Sequence, residues 1–262
     1  MALRRSPRLA RSAGPRRAIA KASSSSRGAS RPKPKSKPKA KPSQRSSATG
    51  PSGSSSLGPS RWHEEQRWEA GFEVVAGVDE AGRGPLVGPV VAAACVLSRN
   101  LDLDLDGIND SKKMTEEQRS SCFEVLTNSP GAVSYAWHAV SASEIDEINI
   151  LQATMKAMET AVGKLPKNPD FVLVDGNRVP KGLDPRKAEA IVKGDGKSLA
   201  IACASVIAKV VRDGMMRELH KEFPHYGFDK HKGYGVPQHL RAIAEHGPCP
   251  HHRRTFAPIK HM

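Results

Sequence analysis

The stretch from Val74 to Leu97, VVAGVDEAGRGPLVGPVVAAACVL, constrains this chain more than any other. Two apolar runs rich in valine flank a turn that holds Asp79, Glu80 and the segment Ala81-Gly82-Arg83-Gly84-Pro85. A continuous apolar run bounded by turn residues has the character of a buried strand. The segment therefore predicts strands at Glu73–Asp79 and Val87–Leu97, close enough in sequence to pair antiparallel. Two carboxylates at the end of a buried strand are costly unless a cation or a metal sits beside them. The alternative, a turn cap at Asp79 with a solvated Glu80, leaves the glycines and Arg83 without a reason.

Further along, Asn109-Asp110-Ser111-Lys112-Lys113 is a polar turn before a helix at 115–127, with Thr115 as its cap and acids in its first turn. Val133–Val140 alternates as a third strand. Ser143–Val162 carries Ile145, Ile148, Leu151, Met155, Met158 and Val162 at helical spacing, as one helix or two in series. Phe171–Val174 is a short apolar strand that runs into Asp175. A briefer run, Ala190–Val192, leads to Lys193-Gly194-Asp195-Gly196. A long helix is expected from Ser198 to Phe223, its small residues permitting close packing, and a last helix from Pro237 to Glu245. Order is expected to begin at Trp62, with no element assigned before Glu73.

Charge is unevenly placed. Of the 41 Lys and Arg, 16 lie in residues 1–63, which hold no acid; the remainder has 25 against 27 Asp and Glu, a net of −2. The overall +14 is thus no evidence for a basic nucleic-acid-binding face on the folded part. Residues 1–61 form a Ser-, Pro- and Lys/Arg-rich tail that cannot bury a core. Its acid-free, Arg- and Ser-rich start suits an organellar transit peptide, for plastid or mitochondrion. A nuclear address, a bacterial disordered arm and a non-specific nucleic-acid tether are the competing readings. Residues 62–262 would be a single folded domain. Cys95, Cys122, Cys203 and Cys249 lack metal-site spacing and read as buried or free thiols in a reducing compartment. No stretch is suited to spanning a bilayer.

Acid recurs at three strand ends: Asp79 with Glu80, Asp175 and Asp195. Carboxylates converging on one spot suit Mg2+ or Mn2+ rather than zinc. Two such ions about 4 Å apart can activate water and stabilise a leaving oxygen in phosphodiester hydrolysis. Acids also end strands for no such reason, so the spacing alone leaves a plain α/β protein open. His225, His231, His251 and His252 lack ligand spacing and are expected to be structural or to contact phosphate. Asp102, Asp104 and Asp106 read as a solvated loop without calcium-loop spacing.

The strings GVDEAGRGPLVGPVV, NDSKK at 109–113, EIDEINILQATMKAM at 144–158, VDGN at 174–177, VKGDGKS at 192–198, ASVIAKVVRD at 204–213, YGFDKHKGYG at 226–235 and HGPCPHHRRTF at 246–256 occur in this order. Together they resemble the bacterial-type ribonuclease HII family over about residues 73–258. That resemblance implies an α/β, RNase H-like fold, a central mixed sheet flanked by helices with a short C-terminal helical region. It implies hydrolysis of the RNA strand of RNA–DNA hybrids, and of ribonucleotide-containing duplex DNA, leaving 5′-phosphate and 3′-hydroxyl ends. It also implies catalytic, metal-binding roles for Asp79, Glu80, Asp175 and Asp195, substrate contact by Gly82-Arg83-Gly84, and substrate sensing by Tyr234.

Glycines at 82 and 84 let backbone approach a ribose and read its 2′-hydroxyl, and Arg83 can fork onto a phosphate. A tight hairpin with a solvated Arg83 is the plainer alternative, as is a half-buried loop tyrosine at Tyr234. Lys112, Lys113 and Lys193 could hold phosphates or could simply be solvated, and Ser205 and Lys209 lie four apart on the long helix, facing backbone phosphate. Other nucleases of the fold, namely a type 3 ribonuclease H or a junction resolvase, and a non-catalytic hybrid binder are the alternatives. A monomer is expected.

Overall fold

The computed structural model describes residues 58–262 apart from Asp104 and Asp106. The expectations for the tail up to residue 57, and for those two aspartates, lie outside the described residues. Five strands form one mixed sheet in the order β3-β2-β1-β4-β5: β1 (Val75–Ala81), β2 (Val90–Leu97), β3 (Val133–Val140), β4 (Phe171–Asp175) and β5 (Ala188–Ile191). The β1–β2 and β2–β3 pairs are antiparallel, as the short turn between β1 and β2 demands, whereas β1–β4 and β4–β5 are parallel. The expected mixed sheet with helices on its faces is what the chain forms.

Side chains alternate across the sheet, and the two faces are covered by two long helices. Ala76, Val78, Ala92, Ala94, Val172 and Val174 pack against Ala153, Ala157, Met158 and Ala161 of α3 (Ala142–Gly163). On the other face, Ala93 and Cys95 pack against Cys203, Ala204, Ile207 and Ala208 of α4 (Leu199–Glu222), with α2 (Glu116–Thr127) alongside. A separate apolar cluster ties Leu86, Val87 and Met216 to Tyr226, Phe228, Ile243 and Cys249, binding the C-terminal region to the β1–β2 turn.

Three local features differ from expectation or sharpen it. First, β1 continues through Ala81, paired to Val91, so Asp79 and Glu80 lie within the strand and address opposite faces. Second, α3 is two helical segments in series. Asn149 leaves helical geometry at φ 66°, and its Oδ1 accepts from the amides of Leu151 at 3.0 Å and Gln152 at 3.2 Å, capping the second segment. Third, a helix absent from the sequence expectation, α1 (Trp62–Glu69), precedes β1. Its Glu64 is buried, and one carboxylate oxygen accepts from the Ser198 hydroxyl at 2.6 Å and the Ala200 amide at 2.8 Å. The carboxylate thus sits at the positive end of α4, alongside the Ser198 side chain that accepts from the Ile201 amide at 3.2 Å. Order reaches back beyond Trp62, since Ser60 and Ser198 form a short parallel bridge. After α4 come α5 (Phe228–His231) and α6 (Pro237–His246). No described helix is long and apolar enough to cross a membrane. All four cysteines are free, and burial pushes the Cys122 thiol up to about 11.

Candidate active site

Adjacent parallel strands β1 and β4 bring their acidic ends together. One carboxylate oxygen each from Asp79, Glu80 and Asp175 lies within 4.8 Å of the others, the one such cluster of potential metal holders among the described residues. Asp79 is 3 % exposed. Its Oδ1 accepts from the Glu80 amide at 2.7 Å, while its buried Oδ2 has no hydrogen-bond partner. Burial, then the charges of Glu80 and Asp175, hold the Asp79 carboxyl well above the usual carboxylate range. Burial also raises Glu80, against the opposing pull of Arg83, whose guanidinium donates to it at 3.2 Å.

Asp195 sits on the short turn after β5 and falls outside that 4.8 Å cluster, although it feels the charge of Asp175. Burial and the neighbouring Asp175 and Asp110 raise its pKa. Lys112 reaches both Asp195 and Asp110 at 3.9 Å. Burial works to lower the Lys112 pKa, but the surrounding carboxylates outweigh it and the net shift is upward. The orphaned oxygen of Asp79 and the crowding of like charges fit a divalent cation: the donors are hard oxygens, and a cation would offset both their burial and their mutual repulsion.

Beside the acids lies a cleft of about 450 Å³ whose walls include Gly82, Arg83, Gly84, Lys112, Lys209 and Tyr234. Gly82 needs its glycine: φ is +96°, and a Cβ there would lie 2.0 Å from Nε of Arg212. Gly84 faces Tyr234, with the site of its absent Cβ 3.4 Å from the ring. Tyr234 itself is 46 % exposed. Arg83 is exposed and directed at Glu80. Lys113 and Lys193 are exposed, the latter in left-handed backbone at φ 57°. Lys209 is partly buried and donates to Asp213 at 2.8 Å.

Ser205 departs from its expected place. It is buried, its hydroxyl shared with that of Ser111 at 2.8 Å and close enough to Asp79 to favour the ionised carboxyl. Ser205 and Lys209 share one face of α4, but Ser205 lies buried beneath the acids instead of at the surface.

Three arginines that sequence reasoning left without roles shape the cleft. Arg212, buried on α4, donates to the carbonyls of Pro89 at 3.0 Å, Lys232 at 3.1 Å and Val87 at 3.3 Å. Arg253, also buried, donates to Gly82, Arg83 and Gly88 carbonyls at 2.6–3.0 Å. Arg119 lines the cleft and donates to the carbonyls of Ser111 and Met114, fixing the turn that carries Lys112. Arg212 and Arg253 belong to the ASVIAKVVRD and HRRTF strings, which marked them without indicating that they bind backbone. Among the histidines, His239 and His252 are fully buried, and each is pushed down to about 4 by burial.

Residues 76–259 match the sequence pattern described as Ribonuclease HII. The chain is 51 % identical over 199 residues to "Ribonuclease HII" of Chlamydia caviae, covering 76 % of this chain and 91 % of that protein. It is 50 % identical over 189 residues to "Ribonuclease HII 1" of Methylibium petroleiphilum, covering 72 % of this chain and 92 % of that one. Among solved structures, the ribonuclease H2 of Pyrococcus horikoshii OT3 superposes with a TM-score of 0.58 at 29 % identity, over 72 % of this chain and 96 % of that one.

Proposed function

The chain belongs to the ribonuclease HII family of nucleases, and on that premise we propose that it is an endonuclease cutting the RNA strand of RNA–DNA hybrids and the 5′ side of single ribonucleotides embedded in duplex DNA. The products would be 5′-phosphate and 3′-hydroxyl ends, and the role one of ribonucleotide removal during DNA replication and repair by a monomeric protein. One observation carries the proposal: Glu80, whose carboxylate clusters with those of Asp79 and Asp175, lines the same cleft as Gly82-Arg83-Gly84 and Tyr234.

Asp79, Glu80 and Asp175, with Asp195 beside them, would hold Mg2+ or Mn2+, which as a pair of ions supplies an activated water and charge neutralisation at the leaving oxygen. The chain's own residues do the rest. Backbone at Gly84 is exposed, so its amide and carbonyl groups can meet a 2′-hydroxyl, the group that tells RNA from DNA, while the Gly82 carbonyl is committed to Arg253. Arg253 holds the Gly82 and Arg83 carbonyls and Arg212 the Pro89 carbonyl, so the turn need not order when substrate arrives. Lys112, kept charged by its acidic neighbours, and Lys209 stand on the cleft wall where a strand's phosphates would run. Lys113 and Lys193, both exposed, are further candidates for phosphate contact. The exposed ring of Tyr234, packed beside Gly84, offers a face on which the sugar next to the ribonucleotide can rest.

A duplex carrying one ribonucleotide should be cut at its 5′ side in Mg2+ or Mn2+; equal cutting of an all-DNA duplex would refute the assignment. Tyr234→Ala should lower kcat/KM for the single-ribonucleotide duplex about tenfold more than for a long hybrid, the rate equivalent of one lost stacking contact. Equal loss on both would mean that the tyrosine only supports its loop.

A further inference from the structure

Tyr234 is held by a chain of buried hydrogen bonds that runs in one direction only. The Cys249 amide donates to Nδ1 of His252 at 2.9 Å, so that nitrogen carries a lone pair and the proton of a neutral ring must sit on Nε2. Nε2 of His252 faces Nε2 of His239 at 3.1 Å, which makes His239 the acceptor there and puts its own proton on Nδ1. That Nδ1–H lies 2.9 Å from the Tyr234 carbonyl. The chemistry is consistent from end to end: amide, imidazole, imidazole, carbonyl, with no nitrogen left to clash. The burial that keeps both rings neutral at physiological pH is what permits this arrangement, because a cation at either ring would place two N–H groups face to face.

A third ring completes the setting. His231 stacks on His239, with centroids 4.6 Å apart and planes at 20°. Its Nδ1 accepts from the Gly233 amide at 3.2 Å and its Nε2 donates to the Tyr226 carbonyl at 2.8 Å, so its proton too has a fixed place. The same segment is tied across to the β1–β2 turn, where the Leu86 amide donates to the Gly233 carbonyl at 2.9 Å. The residue beside His252 is Arg253, which grips Gly82 and Arg83. Two neighbouring C-terminal residues therefore hold the two sides of the cleft: Arg253 the glycine-flanked backbone, and His252, through His239, the tyrosine.

We infer that His239 and His252 are positioning residues for substrate selection, setting the Tyr234 backbone, and hence its ring, at a fixed height over Gly84. This rests on the proposal that Tyr234 senses the substrate. The Tyr234 carbonyl also accepts from the Val236 amide at 2.8 Å, so the loop keeps one tether without His239. What His239 adds is a second, buried anchor that restricts the loop against tilting. Cys249 contributes through its amide, and its thiol, at 3.0 Å from Nδ1 of His252, is kept protonated by burial.

The test compares the ratio of kcat/KM on a single-ribonucleotide duplex to that on a long RNA–DNA hybrid, in the full-length protein with Mg2+. His239→Leu removes the donor to the Tyr234 carbonyl, whereas His239→Asn keeps an N–H near the place of Nδ1. His239→Leu should lower the ratio about tenfold, toward that of Tyr234→Ala, and His239→Asn should restore most of it. Side-chain 15N NMR of the unsubstituted protein at neutral pH should show His239 protonated on Nδ1 and His252 on Nε2. A folded His239→Leu with the unaltered ratio, while Tyr234→Ala lowers it, overturns the positioning role alone. An unaltered ratio in both variants overturns the tyrosine's role as sensor. The opposite tautomers, or an imidazolium at either position, overturn the hydrogen-bond chain whatever the cleavage assays give.

Discussion

Asp79→Asn should abolish cleavage and at the same time make the metal-free protein more stable. Asp79 sits in the middle of the carboxylate cluster, nearly inaccessible, with one oxygen unpartnered. Removing its charge deprives a divalent cation of a central ligand, and cutting should fall roughly a thousandfold or more, the rate equivalent of ~4 kcal/mol. Removing the charge also relieves repulsion from Glu80 and Asp175, and an amide N–H becomes available to those carboxylates. The expected gain in unfolding free energy at neutral pH is about 1–3 kcal/mol, typical of correcting an unsatisfied buried polar group.

The pH dependence has a definite sign. The folded-state pKa of Asp79 is raised above its value in the unfolded chain, so its favourable contribution is fully present below the ordinary carboxylate range near 3.8. That contribution is lost as pH rises through the elevated folded value. The stability difference between Asp79→Asn and the unsubstituted protein should therefore be small in acid and grow toward neutrality. Added Mg2+ should raise the thermal midpoint of the unsubstituted protein and leave that of Asp79→Asn unchanged, since only a state that binds the ion gains from it. Calorimetry across pH, with and without Mg2+, checks each part. A less stable Asp79→Asn in metal-free buffer at pH 7 would mean that the carboxylate is a structural element rather than one kept strained for metal.

What was legible in the sequence had a local cause. β3 and α2 fall where alternation and the Thr115 cap place them, with the capping box between Thr115 and Gln118 fully formed. The acids at 79, 80 and 175 converge because apolar runs on either side dictate strands, and strands in one sheet end together. The cluster's inner geometry was not legible. Residue spacing carries no distances, so nothing in Lys193-Gly194-Asp195-Gly196 indicates that Asp195 stands next to the cluster rather than within it. Spacing sets Ser205 and Lys209 on one helix face, but depth depends on what lies across from it, here Ser111 on a distant loop.

The helix α1 and the arginine clamps were hidden for one shared reason. Glu64, Arg212 and Arg253 are residue types that ordinarily face water, and each is buried because a remote partner satisfies it. Glu64 answers amide and hydroxyl groups at the start of α4, 134–136 positions away, and Arg253 answers carbonyls 165–171 positions away. Periodicity, the signal for a core position, is silent on such residues. A buried charge of this kind is visible only once the fold has supplied its partners.

Gly77→Ala tests the packing that sets the position of Asp79. Gly77 lies on β1 two residues before Asp79 and on the same face, where α4 crosses the strand. A Cβ at this position would lie 2.2 Å from the Ala200 carbonyl carbon and 2.3 Å from the Ile201 amide nitrogen. Both are backbone atoms at the start of a helix whose N-terminus is already held by Ser198 and Glu64, so no side-chain rotation can make room. Relief requires moving α4 off the sheet, which breaks contacts of Val75, Leu173 and Ile201 and separates Ser205 from Asp79. The expected cost is about 3 kcal/mol or more, at the upper end for overpacking because the obstacle is backbone. Gly163→Ala, at the end of α3, serves as the matched control: a Cβ there meets nothing within 4 Å, and the added methyl should be neutral or stabilising by about 0.5–1 kcal/mol. Urea midpoints of the two variants should thus move in opposite directions or by very different amounts. Any Gly77→Ala protein that still folds should lose cleavage more than its folded fraction explains, because the displaced strand carries two of the clustered acids. A Gly77→Ala protein with an unchanged midpoint would show that α4 does not rest on β1 at this point, and that Asp79 takes its position from some other contact.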